Sequence, residues 1–225
     1  MSVLIALTRY QLALLLRSQR WLPPLLLYAI LLVIGVWPGE PVLDGLGFAA
    51  AALLPVAVWL TWVCLTGEPA AARACAVAAA GAVRVRLGAA LAGLLASASL
   101  GAVACAVVLW SGAAHGADRR TAIPLGSAAL AALLAVVCCA LLGTAVGVLG
   151  QRLPRGAVWS VPVMSIGALV LLVSSASPAN AAVGALVTGS REGRVGLPLL
   201  PALLAALIAA AVFAAVSRRT ARRPA

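Results

Sequence analysis

Few side chains in this sequence could carry out catalysis or bind a metal ion. It has a single histidine, His115, which lies close to Asp118, and its 16 basic residues are all arginine. One histidine supplies too few ligands for a zinc site, and a phosphate-binding loop of the Walker type needs a lysine. The HExxH and GxSxG patterns are also absent. We therefore expect no catalytic residues, no cofactor and no bound metal, and a membrane enzyme is the least favoured of three hypotheses.

The five cysteines do not form a disulfide or metal-binding pattern. Cys75 lies in a segment that we place in the cytoplasm, and the other four lie within long apolar runs. No cysteine is therefore where an oxidising exterior could pair it. We expect five free thiols.

The composition is that of a membrane protein, because 64% of the residues are hydrophobic and only 9% are charged. Six uncharged runs are each long enough for a helix that crosses the bilayer, which takes about 17 to 25 residues. They are apolar on every face, unlike the alternating strands of a membrane barrel. We predict an all-α polytopic protein that forms one transmembrane domain over 1–225, with an interfacial helix at 3–20 and spans at about 21–37, 46–66, 87–110, 121–149, 158–176 and 197–216.

The arginines indicate the orientation in the membrane. With six spans and both ends on the same side, 12 of the 16 arginines fall on that side, and four of the five acids fall on the other. Positive charge is concentrated in cytoplasmic segments of membrane proteins. We predict a multi-pass protein of a bacterial-type plasma (inner) membrane, with both termini in the cytoplasm. The net charge of +11 is then a topology signal, and no nucleic-acid partner is expected.

The first twenty residues carry a basic stripe. On a helix, Arg9 and Arg20 lie about 20° apart and Arg17 about 60° further round. Such a helix is typical of the membrane surface, where guanidinium groups meet anionic lipids. The alternative is an ordinary cytoplasmic tail on the first span.

Small residues recur at helical spacing in the third and fourth spans. Gly93, Ser97 and Gly101 are four residues apart, and Gly143 and Gly147 form a GxxxG pair. Small residues let helix backbones approach closely in a membrane. We expect these two spans to pack inside the bundle or across a protomer interface, although richness in alanine alone could produce such stripes.

The longest inner loop, 67–86, contains a helix signal. Glu68 and Pro69 favour a helix start, and Gly81 can end the helix. Arg73 lies within it, and Arg84 and Arg86 precede the next span. The predicted spans hold no charged residue, so energy for any transport would have to come from a partner. The alternative is a plain connector.

A second helix start lies between the fifth and sixth spans. Ser177 followed by Pro178 fits a cap and a first turn, and Gly189 is a plausible stop. A short apolar helix here would dip back into the outer leaflet.

This layout, with the stretches LLGTAVGVLGQRLPRG and SSASPANAAVGALVTG, resembles the ABC-2 type permeases. The resemblance implies that six spans form half of an exporter, that the loop 67–86 is a coupling helix docking on a separate ATP-binding subunit, and that a re-entrant element follows span five. A second protomer, identical or a sibling, would complete the path. Glu68, Arg73, Arg84 and Arg86 would then transmit the movement of the ATPase. The alternative hypothesis is a non-transport membrane protein, such as an assembly, immunity or sensory anchor.

Overall fold

The computed structural model describes residues 2–37, 39–111, 123–150 and 160–221. Over these ranges the chain forms helices and no strand, which confirms the all-α prediction for this part of the chain. The helices are α1 (Ser2–Ser18), α2 (Leu22–Gly35), α3 (Val42–Thr66), α4 (Ala70–Ala80), α5 (Ala82–Ser111), α6 (Leu125–Leu149), α7 (Ser160–Val173), α8 (Pro178–Glu192) and α9 (Leu199–Ala221).

Four of these helices, α3, α5, α6 and α9, are long and apolar enough to cross a membrane. Two bent pairs raise the count to six if each pair is one span: α1 and α2 meet at 77°, and α7 and α8 at 53°. The chain therefore has four to six potential membrane-crossing helices, as a multi-pass membrane protein has. His115 and Asp118 lie outside the described residues, as do parts of the predicted spans 121–149 and 158–176.

Helix α3 forms the centre of the bundle. It packs against α2, α5, α6, α7 and α8, and 78% of its most apolar stretch is buried. Only 11% of the corresponding stretch of α9 is buried. A helix that is apolar all round is suited either to a protein interior or to lipid, so the sequence alone does not distinguish these two positions. We call the end of the bundle where α3 meets α4 the Glu68 end, and the end where α3 begins the Val42 end.

Several helix boundaries differ from the sequence prediction: α3 begins at Val42 rather than near residue 46, and α9 continues to Ala221 rather than ending near residue 216. Helix α5 begins at Ala82 rather than near Leu87, so Arg84 and Arg86 lie in its first two turns and not in a loop. Helix α8 continues past Gly189 to Glu192 and ends at Gly193, whose left-handed φ of 64° suits a glycine.

Candidate functional site

Helix α4 projects from the Glu68 end as a separate element. It starts after Pro69 and ends at Gly81. The φ of 85° at Gly81 is a backbone conformation that residues other than glycine rarely adopt. It packs against the start of α5, and none of its eleven residues is buried. Helix α4 therefore offers an alanine-rich outer surface that the other described residues leave uncovered.

Glu68 is directed into the protein rather than toward that surface. Its Oε2 accepts a hydrogen bond of 3.0 Å from Nε2 of Gln11, a residue of α1 that is only 2% exposed. Partial desolvation and, after it, the Glu68 carboxylate raise the pKa of the neighbouring Tyr10. Glu68 thus joins the N-terminal helix to the turn between α3 and α4.

Arg73 ties α4 to α3. Its guanidinium donates a hydrogen bond of 3.3 Å to the carbonyl oxygen of Leu65, in the last turn of α3. The final carbonyls of a helix have no partner within the helix, and a basic side chain is well suited to satisfy them. Arg84 is exposed and Arg86 is half-buried on α5, so the charged residues singled out from the sequence all lie at the Glu68 end but face different neighbours.

Thr61 of α3 is held between two of the predicted small-residue positions. A β-carbon on Gly93 of α5 would lie 2.8 Å from the Thr61 α-carbon, and one on Gly147 of α6 would lie 2.9 Å from the Thr61 β-carbon. Real β-carbons do not approach so closely, so both positions require glycine in this packing. The Thr61 hydroxyl donates to the Thr144 hydroxyl at 3.4 Å, and the Ser97 hydroxyl donates to the Gly93 carbonyl at 2.9 Å.

The other two small-residue positions also contact α3. A β-carbon on Gly101 would lie 2.7 Å from a methyl group of Leu53, and one on Gly143 would lie 2.8 Å from the carbonyl oxygen of Leu54. Gly93 lies beside Thr61, and Gly101, later in α5, lies beside Leu53, which is earlier in α3. Helix α5 therefore runs antiparallel to α3. These glycines thus bring α5 and α6 onto the central helix within one chain.

Helices α7 and α8 lead from one end of the bundle to the other. Helix α7 starts at the Glu68 end, where Met164 contacts Gly150, and the last turns of α8 reach the Val42 end, where Gly189 lies beside Leu43. The hydroxyl of Ser177 caps α8 by accepting from the Ala179 amide at 3.2 Å, and Pro178 is the first helical residue. The pair therefore runs from one end of the bundle to the other, with a break in the helix at residues 174–177.

The chain turns back toward α6 through a non-helical segment that follows α8. Residues 194–198 are non-helical, and Gly189 lies against the carbonyl of Arg194 where the chain turns back. The Cys138 thiol of α6 lies 3.5 Å from the Pro178 carbonyl oxygen and 3.6 Å from that of Pro201. The excursion that begins at Pro178 thus returns to the same point on α6 that it left.

No protein family, curated protein or solved structure matches this chain. Its function is therefore inferred from the geometry above.

Few side chains in the described residues could take part in catalysis. All five cysteines are free thiols, and Cys75 on α4 is the exposed one. Within the described ranges, no three His, Cys, Asp or Glu side chains come close enough together to hold a metal ion. The notable features are helix α4, which has no buried residue and is bonded to the most buried helix α3, and the bent pair of α7 and α8.

Proposed function

We propose that this chain is the membrane subunit of an ATP-driven exporter of the ABC-2 type, which works with a separate ATP-binding subunit and a second permease protomer. The observation that carries the proposal is helix α4, which has no buried residue and is bonded to the central helix α3. A partner that moves α4 would displace the helix against which most of the bundle is packed.

Two contacts make α4 suitable for transmitting such a movement. The Arg73 bond to the last turn of α3 links α4 to the core, and the Glu68 bond to Gln11 links the same turn to α1. We assign Arg84 and Arg86 to the adjoining surface of α5. In this scheme Glu68 and Arg73 hold α4 in position through hydrogen bonds within the chain.

The proposed placement has the Glu68 end and both termini in the cytoplasm, with six spans in a bacterial-type inner membrane. The 77° bend before α2 and the exposure of Arg9, Arg17 and Arg20 support a position for α1 along the membrane surface, against anionic lipids.

A non-transport membrane protein is the alternative. The hydrogen bonds of Glu68 and Arg73 are also compatible with it, because an ordinary connector would satisfy its polar groups within its own chain.

Substitutions on the uncovered face of α4 distinguish the two. Ala74 is exposed there, and Ala74→Glu adds a charged side chain without disturbing a buried group. If α4 docks in a groove of the ATPase, this change should reduce co-purification of that subunit by tenfold or more, since desolvating an unpaired charge at an interface costs about 2 kcal/mol or more.

The matched control is Thr188→Glu, which adds the same charge at an exposed position of α8 toward the Val42 end. It should leave co-purification unchanged. Equal ATPase recovery from both variants, at equal amounts of inserted protein, would instead support the non-transport alternative.

A further inference from the structure

An apolar trench opens between the α1–α2 elbow, α3 and α5. Its volume is about 480 Å³, and it is lined by side chains that include Leu12, Leu16, Trp21, Leu60, Ser99 and Val103. The only hydroxyl among these, that of Ser99, donates to the Ala96 carbonyl at 2.9 Å. The trench therefore has an almost entirely apolar wall.

The trench runs along one side of α5. It extends from Ala96 to Val103, seven residues and so about 10.5 Å of helix rise. An apolar slot of this length and volume accommodates an acyl chain laid along the helix.

Positive charge flanks the trench where α1 turns into α2. Arg17 and Arg20 are exposed, and each is adjacent in sequence to a lining residue, Leu16 or Trp21. The Arg20 guanidinium lies at the Glu68 end, since a β-carbon on Gly67 would be 3.8 Å from its Nη1. An apolar slot with cations at one end is complementary to an anionic phospholipid, which has an apolar chain and a negatively charged headgroup.

We infer that the trench binds one acyl chain of an anionic phospholipid, with the phosphate headgroup held by Arg17 and Arg20. The acyl chain fills the space inside the 77° bend between α1 and α2 and contacts the apolar side chains on both sides of it. This inference rests on the proposed placement of α1 at the membrane surface. It does not depend on coupling to an ATPase.

The test uses native mass spectrometry of the full chain in detergent with added phosphatidylglycerol or phosphatidylcholine of identical acyl chains. The unmodified chain should retain one phosphatidylglycerol in preference to phosphatidylcholine. Ser99→Phe, which fills the trench, should abolish retention of both lipids. Leu95→Phe is the matched control, since Leu95 is 52% exposed on the same helix and does not line the trench; it should retain the lipid.

Arg17→Gln and Arg20→Gln test the headgroup contact. Each should lower the preference for phosphatidylglycerol about fivefold while leaving an acyl chain bound, because an arginine near an anionic surface contributes about 1 kcal/mol. Should Ser99→Phe fail to fold, Val103→Trp fills the other end of the same trench along α5.

Three results would overturn the inference: retention of lipid by both filled variants, equal retention of the two lipids by the unmodified chain, or a filled variant that keeps its lipid but changes oligomeric mass. The last result would make the trench a contact between copies of the chain. Recovery of the ATPase with the filled variants is a separate readout, so failure here and failure of the proposed function can be told apart.

Discussion

Gly143 provides a direct test of how the bundle is held together. A β-carbon at this position would lie 2.6 Å from the Ala57 β-carbon and 2.8 Å from the Leu54 carbonyl oxygen, which belongs to the backbone of the central helix. Neither atom is at the end of a flexible side chain. Gly143→Ala therefore forces α6 away from α3.

The expected cost can be separated from the change in helix propensity. Replacing a helical glycine by alanine stabilises the helix by about 1 kcal/mol, whereas overpacking a filled interior costs about 1 to 3 kcal/mol. Gly126 lies on the same helix, and among the described residues no atom outside its own helical turn would lie within 4 Å of a β-carbon there. Both substitutions carry the propensity gain, so their difference isolates the cost of overpacking at about 1 to 3 kcal/mol.

The assay is reversible unfolding of the purified chain in mixed micelles with increasing dodecyl sulfate, followed by circular dichroism. Gly143→Ala should unfold at a dodecyl sulfate concentration equal to or lower than that of the unmodified chain. Gly126→Ala should unfold at an equal or higher concentration. If the two variants are equally stable, the close α3–α6 approach is not an energetic part of the fold.

Three further predictions address topology, energy source and the N-terminal contact. Reporter fusions after Arg155 and Arg223 should report cytoplasm and one near Ala114 the exterior, since the arginine asymmetry orients the spans; a periplasmic C-terminus would contradict the six-span count. The purified chain alone should neither bind nor hydrolyse ATP, because it has no lysine for a Walker-type loop, and saturable binding measured by calorimetry would argue against a separate ATPase subunit. Gln11→Leu should destabilise the chain by about 1 to 3 kcal/mol by removing the donor to the partly buried Glu68 carboxylate, and the same substitution combined with Glu68→Leu should recover part of that loss.

Local signals in the sequence are enough to locate several helices. Charge-free apolar runs correspond to α3, α5, α6 and α9, because a helix in lipid needs a long stretch without charged groups. The start of α4 after Pro69 and its end at Gly81 follow from backbone preferences that each residue carries on its own.

Other features depend on contacts between distant parts of the chain. The sequence predicts a helix stop at Gly189, yet this position is a glycine because the Arg194 carbonyl lies against it, and sequence does not separate these two uses of glycine. The charges of Arg84 and Arg86 predict a loop where α5 has already begun, because a helix can extend beyond the membrane with such side chains on its surface.

The candidate site also combines residues that the sequence identifies with contacts that it does not reveal. The charged residues at the Glu68 end are visible in the sequence, but the bond from Gln11 to Glu68 joins positions 57 residues apart. The Cys138 contacts with two proline carbonyls likewise join α6 to later parts of the chain. No spacing rule links such pairs, so these contacts emerge only when the helices are assembled.

The docking of an ATPase on α4 can be measured directly at Cys75. This thiol is exposed on α4, and the other four cysteines are buried, so a photoactivatable maleimide should label Cys75 selectively in the native chain. Irradiation of membranes that contain the ATP-binding subunit should yield a crosslinked product of the two proteins, and Cys75→Ser should abolish it. A labelled chain that is fully inserted and gives no crosslinked product with the ATP-binding subunit would contradict the proposed coupling role of α4.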